Sequence, residues 1–233
     1  NLSKNLHFRK TFVYLGVSGN AKSDAENMQK FSIYTKSNKF YWSAETITYS
    51  IIFFCCGVML FKQKVLNIEE NLIDKIFMWL VVSTFMFGAI LKFYNMGRFE
   101  PIRGEFKGYL SFEKDKITVC NEIYPIEKIR KIKISNDDYS GKLVNISKGN
   151  LGPALSNGTR NFIIIYFESG ESKRHQFELI NSVDFQKVRQ ELINYYLLGK
   201  IDFDEVANVL GEKSRSEVAE FKADIEKERM HYR

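Results

Sequence analysis

The sequence has few of the residues that build catalytic and metal centres. Its 233 residues include only three cysteines and three histidines, and neither set has a spacing that suits a bound metal. A nucleophile elbow, a Walker A lysine and a dinucleotide fingerprint are all missing. These absences exclude a disulfide-rich scaffold. They predict a protein that is not an enzyme, with no catalytic residue, no metal and no cofactor.

Charge is missing from two stretches, Thr46–Phe61 and Ile76–Leu91, each 16 residues long. As a helix, each would extend about 24 Å against a hydrocarbon thickness of about 30 Å. Neither stretch keeps the polar face of a helix in a soluble domain, which disfavours two buried core helices. We therefore expect transmembrane helices over about residues 43–62 and 74–95. Their outer ends carry aromatic residues suited to a membrane interface, namely Tyr41, Trp42, Phe93 and Tyr94.

Positive charge is concentrated ahead of the first apolar stretch. Residues 1–45 contain seven Lys and Arg against three acidic residues, whereas the connector 62–75 contains three of each. Because Lys and Arg mark the cytoplasmic side, we expect a hairpin over residues 46–96 in the inner membrane, with both termini cytoplasmic. Lys62 and Lys92 can reach water from the helix ends. Residues 98–233, with 23 basic and 22 acidic residues, are nearly neutral, which disfavours binding to duplex nucleic acid.

Short segments with alternating polarity follow the second apolar stretch. They begin near Phe106 and include Arg130–Ser135 and Asn161–Glu168, and the last of these turns at Ser169-Gly170 into another strand. An amphipathic helix then ends at Gly199. The pattern predicts an α+β membrane protein, in which a transmembrane hairpin precedes a cytoplasmic antiparallel β-barrel capped by a helix.

The expected barrel and its closing helix occupy residues 98–199, and a helical extension covers 200–233. Residues 1–45 form an N-terminal cytoplasmic segment with a candidate strand at Phe8–Val17. Two alternatives remain open for this segment, which either packs on the cytoplasmic domain or lies at the membrane surface.

The segment DKITV (residues 115–119), followed by IYPIEKIRKI (residues 123–132), resembles the bacterial PH-like domains that follow transmembrane hairpins. The resemblance covers roughly residues 100–198 and implies a PH-like barrel. The whole architecture is also similar to the two-span β-barrel effectors of bacterial CBASS antiviral systems, whose cytoplasmic barrel senses a cyclic nucleotide. That similarity implies an oligomeric membrane effector in antiviral defence.

The best candidate for a ligand surface is the segment Asn136–Arg160, which is rich in glycine and carries the cations Lys142, Lys148 and Arg160. Flexible backbone amides beside cations can hold an anion such as a nucleotide phosphate or a lipid headgroup. The alternative is an exposed loop whose lysines only keep it soluble.

Within the second apolar stretch, Ser83, Thr84 and Gly88 form a small, weakly polar patch. Two interpretations stay open, close packing between helices and the lining of a pore. Two helices cannot enclose a channel, so any pore requires a homo-oligomer.

Two functional hypotheses follow. In the first, the cytoplasmic domain senses a nucleotide-type ligand or a regulatory protein and controls membrane disruption or ion conduction by the assembled helices. In the second, the hairpin anchors a lipid- or protein-binding module that has no pore activity. Both require the lipid bilayer as a partner.

Overall fold

The computed structural model describes residues 29–231 except Ile68, Glu70 and Lys148. The candidate strand at Phe8–Val17 therefore lies outside the described residues. The described helices are α1 (Ala44–Lys64), α2 (Leu72–Asn95), α3 (Arg189–Leu197), α4 (Phe203–Leu210) and α5 (Arg215–His231). The described strands are β1 (Lys30–Lys36), β2 (Gly104–Phe112), β3 (Lys116–Val119), β4 (Glu122–Pro125), β5 (Ile129–Ser135), β6 (Ser140–Leu143), β7 (Leu155–Asn157), β8 (Asn161–Phe167) and β9 (Ser172–Phe177).

Helices α1 and α2 form an antiparallel hairpin. The side chain of Ser43 accepts a hydrogen bond from the Thr46 amide at the start of α1, and Asn71 and Asp74 form a capping box at the start of α2. Asp74 also pairs with Lys62 across the connector. Both helices are long and apolar enough to cross a membrane, and little of either is buried within the protein. The two predicted apolar helices are thus confirmed.

Seven strands, β1 from ahead of the hairpin and six from after it, form an antiparallel sheet in the order β4-β3-β2-β1-β9-β8-β5, and β6 and β7 pair separately. The central strand β1 comes from the chain ahead of the hairpin and pairs with both β2 and β9. Of the two alternatives for the N-terminal segment, residues 30–36 therefore follow the first, because they lie within the sheet. We call this sheet, the β6–β7 pair with its loop and the helices α3–α5 the β-domain.

The sheet does not close into the predicted barrel, because the terminal strands β4 and β5 are not paired. The outer edge of β5 is already occupied: the Ile132 amide donates to the Lys200 carbonyl (2.7 Å) and the Ile134 amide donates to the Glu205 carboxylate (2.6 Å). A strand whose second edge is covered in this way has no ladder to offer β4. Glu122 of β4 instead forms an ion pair with Lys173 of β9 (2.6 Å), which is a contact between side chains and not a strand ladder.

Aromatic rings fill the centre of the β-domain. Phe31 from β1 stacks on Phe185 at a centroid distance of 4.8 Å, and Phe112 and Phe177 pack around the same ring. Tyr195 of α3 is buried, and its hydroxyl donates to the carbonyl of Glu113 at the turn between β2 and β3 (2.5 Å). The predicted C-terminal helices are confirmed, and α3 is preceded by a 3-10 turn, Asp184–Val188.

Candidate functional site

The residues between β6 and β7, 144–154, lie against one end of the hairpin, and we call them the β6–β7 loop. Lys92, in the last turn of α2, holds this loop through its ammonium group. Its Nζ donates to three loop carbonyls, those of Asn145 (3.2 Å), Ser147 (3.3 Å) and Asn150 (2.5 Å). An ammonium has three donors, so the loop uses all of the hydrogen-bonding capacity of Lys92.

Two further polar side chains of the hairpin bind the same loop. Asn95 is buried at the end of α2, and its amide nitrogen donates to the Leu151 carbonyl (2.7 Å). The main-chain carbonyl of Asn95 accepts a hydrogen bond from the Ala154 main-chain amide (3.0 Å). From α1, the Tyr49 hydroxyl donates to the Gly149 carbonyl. Together with Lys92, these side chains give both helices a direct hydrogen-bonded connection to the β-domain.

The loop also makes an apolar contact with the hairpin at Gly88. A methyl group added at Gly88 would lie 3.4 Å from the Leu151 side chain and 3.5 Å from the Thr48 methyl. Gly88 therefore leaves the space in which Leu151 and α1 approach α2. Larger side chains at this position would have to displace one of the two neighbours.

Ser83 and Thr84 lie deeper along the hairpin than Gly88. The Ser83 hydroxyl donates to the Trp79 carbonyl one turn earlier (2.8 Å), which satisfies its donor within the helix. Both residues line a groove of about 420 Å³ between the helices, together with Thr48 and apolar side chains. This patch is thus part of the surface where α1 and α2 face each other.

A cleft of about 410 Å³ opens beside the loop, between the start of α1, the end of β1 and the chain that follows α2. Among the cations predicted to bind a ligand, Arg160 lines this cleft and pairs there with Glu100. Lys142 is not part of the lining and donates instead to the Asp137 carbonyl. Lys148 lies outside the described residues. Of the two predicted cations that the structure describes, Arg160 therefore lies at the cleft, where it is paired with Glu100.

Charged groups of both signs face the cleft, which is lined by Lys36, Arg103, Glu45 and Glu100 as well as Arg160. The Arg103 guanidinium lies over the Tyr41 ring, 4.1 Å from its centroid. An anion that entered this cleft would compete with Glu100 for Arg160, so its binding would alter contacts next to the loop.

A buried polar network fixes the base of the β6–β7 loop. The Asp138 carboxylate accepts from the Ser156 hydroxyl (2.6 Å) and the Arg160 amide (3.0 Å). The Asn161 side chain donates to the carbonyls of Asp138 and Gly158, both at 2.8 Å. The network therefore ties the chain ahead of β6 to β7 and to the start of β8.

The described residues also include a half-buried histidine in the sheet. His175 on β9 is half-buried beside Tyr124, and this burial lowers the pKa of its imidazole. Across the part of the chain that the structure describes, no group of three or more His, Cys, Asp and Glu side chains is arranged to hold a metal ion.

Sequence reasoning missed the residues that join the hairpin to the loop. Lys92 was expected to reach water, but the loop carbonyls surround its ammonium group. The available signal was Asn95, an amide side chain immediately beyond the second apolar stretch, because such a group requires hydrogen-bond partners when it is buried.

The fold and this site define an α+β protein in which an exposed apolar hairpin is inserted in the chain between two strands of an antiparallel sheet and is also hydrogen-bonded to the β6–β7 loop. Comparisons with protein-family models, curated proteins and solved structures find no match for this chain.

Proposed function

We propose that this protein is an oligomeric membrane effector. In this proposal the hairpin spans the inner membrane with both chain termini in the cytoplasm. The β-domain senses a ligand or a partner and controls membrane disruption or ion conduction. The proposal extends to antiviral defence only on the similarity to two-span CBASS effectors.

Membrane insertion is supported by the length and the surface of the hairpin. Helices α1 and α2 have 21 and 24 residues, which correspond to about 32 and 36 Å, enough to cross a hydrocarbon layer of about 30 Å. Trp42, Phe93 and Tyr94 at the domain end of the hairpin are exposed. An exposed aromatic belt at this position suits the interface between lipid and water.

Control by the β-domain is supported by the hydrogen bonds at the β6–β7 loop, the observation that carries the proposal. Lys92, Asn95 and Tyr49 bind five carbonyls of a loop that belongs to the β-domain. Because the loop and the hairpin are hydrogen-bonded, each arrangement of the loop would favour one arrangement of the hairpin. A ligand that binds one arrangement of the loop more tightly would shift the equilibrium between the hairpin arrangements by its difference in binding free energy.

Assembly is required because two helices cannot surround a pore. Helices that associate in lipid do so through small residues and hydroxyls, and Ser83 and Thr84 lie in the groove between α1 and α2. In the proposed oligomer this groove would face either an adjacent protomer or the centre of the ring of helices.

A second candidate function is a membrane-anchored scaffold without pore activity. The observation that favours it is the lack of any Asp, Glu, Lys or Arg within Thr46–Phe61 and Ile76–Leu91. Ion pathways through membranes usually carry such groups.

Membrane potential in expressing cells distinguishes the two functions. We expect expression of the full chain to depolarise the cells, as followed with a potential-sensitive dye. Gly88→Leu should abolish the depolarisation, because the added side chain displaces Leu151 or Thr48 at a cost of about 1–3 kcal/mol.

The matched control is Gly57→Leu in α1, because a Cβ at Gly57 meets no atom within 4 Å. This variant should depolarise cells as the unmodified chain does. Unchanged potential with the unmodified chain present in the membrane fraction, and as a monomer in detergent, would contradict the effector and favour the scaffold.

A further inference from the structure

We infer that the β6–β7 loop is itself a membrane-inserted element, in which Leu143, at the end of β6, and Ile146 contact phospholipid acyl chains at the bilayer interface. This inference rests on the proposed insertion of the hairpin and adds a third point of contact between the protein and the lipid.

The depth of the loop follows from its contacts with α2. Leu143 and Ile146 line a small cavity of about 110 Å³ together with Lys92 and Met96. Lys92 and Met96 flank the exposed aromatic residues Phe93 and Tyr94 in the sequence. The end of β6 and the start of the loop therefore lie at the level of the aromatic belt.

Part of the loop reaches further along the hairpin than the belt. Leu151 lies against Gly88, which is four residues, or about 6 Å of helix, closer to the centre of the span than Lys92. Gly88 also lies inside the charge-free stretch Ile76–Leu91. The loop thus approaches the boundary of the hydrocarbon layer.

The side chains at this level have the chemistry of a lipid contact. Leu143 is 57% exposed and Ile146 is 67% exposed, although both are large and apolar. They line one small cavity with Met96, which follows Phe93 and Tyr94 and is exposed as well. The bilayer that covers Phe93 and Tyr94 would therefore cover Leu143 and Ile146 as well.

Part of the loop backbone is hydrogen-bonded by side chains of the hairpin. Irregular backbone is tolerated at membrane depth only where its polar groups find partners in the protein. The carbonyls of residues 145, 147 and 150 accept from Lys92, that of Gly149 accepts from Tyr49, and that of Leu151 accepts from Asn95. At these five residues the protein itself supplies the donors that bulk water would otherwise supply.

The test uses tryptophan fluorescence in vesicles of phosphatidylcholine and phosphatidylglycerol that contain brominated acyl chains. The chain has two tryptophans, Trp42 and Trp79. Trp42→Phe leaves Trp79 as a reporter of hairpin insertion. Adding Trp79→Phe and Ile146→Trp creates a reporter on the loop.

A matched control for the loop reporter is Leu198→Trp in the same background. Leu198 is 50% exposed at the end of α3. The side chain of Asn194 in α3 binds the Lys114 carbonyl, at the end of β2 farthest from the hairpin. A tryptophan there should remain in water.

We expect the brominated lipid to quench Trp79 and the tryptophan at position 146 several-fold more than the one at position 198. Quenching of Trp79 with no excess at position 146 over position 198 would overturn the loop inference and leave the inserted hairpin standing. In that case the exposed side chains of Leu143 and Ile146 would face water or another protein chain and not lipid. An unquenched Trp79 would overturn hairpin insertion, and the loop inference with it.

Discussion

Replacing Lys92 with methionine removes the ammonium that holds the β6–β7 loop while keeping the length of the side chain. The change deletes one short hydrogen bond, to Asn150 (2.5 Å), and two longer ones, to Asn145 (3.2 Å) and Ser147 (3.3 Å). Hydrogen bonds to charged groups contribute about 1.5–3 kcal/mol each, and the long ones contribute less. We expect the free energy of opening the loop to fall by about 2–3 kcal/mol.

Hydrogen exchange measures this local opening directly, since an amide exchanges only when its hydrogen bond opens. The Val144 amide donates to the Ala154 carbonyl (2.8 Å), and the Ala154 amide donates to the Asn95 carbonyl (3.0 Å). In Lys92→Met these amides should exchange about 30- to 150-fold faster, the factor that corresponds to 2–3 kcal/mol. The chain is measured intact, in lipid nanodiscs.

The matched control is Lys75→Met, which removes the same charge from the opposite, exposed end of α2. Loop exchange should be unchanged in this variant. Equal exchange of the loop amides in the unmodified chain and Lys92→Met would refute the reasoning, because it would show that the ammonium does not hold the loop.

Two further predictions concern the β-domain. Gly158→Ala should lower the free energy of unfolding of the β-domain by about 2–4 kcal/mol. The added Cβ would overlap the Leu179 carbonyl oxygen, and Gly158 has a φ of +73°. Thermal unfolding measures this loss against Gly170→Ala, whose Cβ meets nothing within 4 Å. Equal losses of stability in the two variants would contradict the close approach at Gly158. Because burial lowers the pKa of His175 from 6.5, the unfolded chain binds the proton more readily, so stability should fall as the pH drops from about 7.5 to about 5.5. His175→Gln should reduce this fall, as measured by the unfolding midpoint, and an unaltered pH dependence would exclude His175 as its cause.

The hairpin was the most predictable part of the fold. The charge-free stretches and their flanks predicted helices over 43–62 and 74–95, against Ala44–Lys64 and Leu72–Asn95 in the structure. A helix forms between residues that are close in sequence, and a continuous apolar stretch indicates that it faces an apolar medium. Both properties can be recognised from a short segment of sequence. The same holds for Ile129–Ser135 and Asn161–Phe167, whose alternation is strong.

Strand order was less accessible, because it depends on partners distant in sequence. The alternation of Lys30–Lys36 is irregular, and nothing nearby indicates that this strand enters the middle of a sheet formed after the hairpin. The predicted closed barrel was wrong for a related reason. Lys200 and Glu205, from the C-terminal helical region, occupy the edge of β5, and local patterning does not show that contact.

The candidate site was predictable only in its location. Asn136–Arg160 contains the β6–β7 loop. However, the prediction singled out the cations of this segment, whereas the contacts with the hairpin are made by its backbone carbonyls. Hydrogen bonds from a helix to the backbone of a distant loop leave no spacing in the sequence, because backbone carbonyls are present at every residue.

The most direct test of the account is the side of the membrane on which each end of the hairpin lies. Cys120 of the β-domain is free and exposed, and Leu66→Cys, in a Cys120→Ser background, places a thiol in the exposed connector. With a membrane-impermeant maleimide, we predict labelling at position 66 in intact spheroplasts and labelling of Cys120 only after permeabilisation. The reverse pattern would overturn the orientation. Labelling of both thiols from the same side would contradict a hairpin whose two helices each cross the membrane.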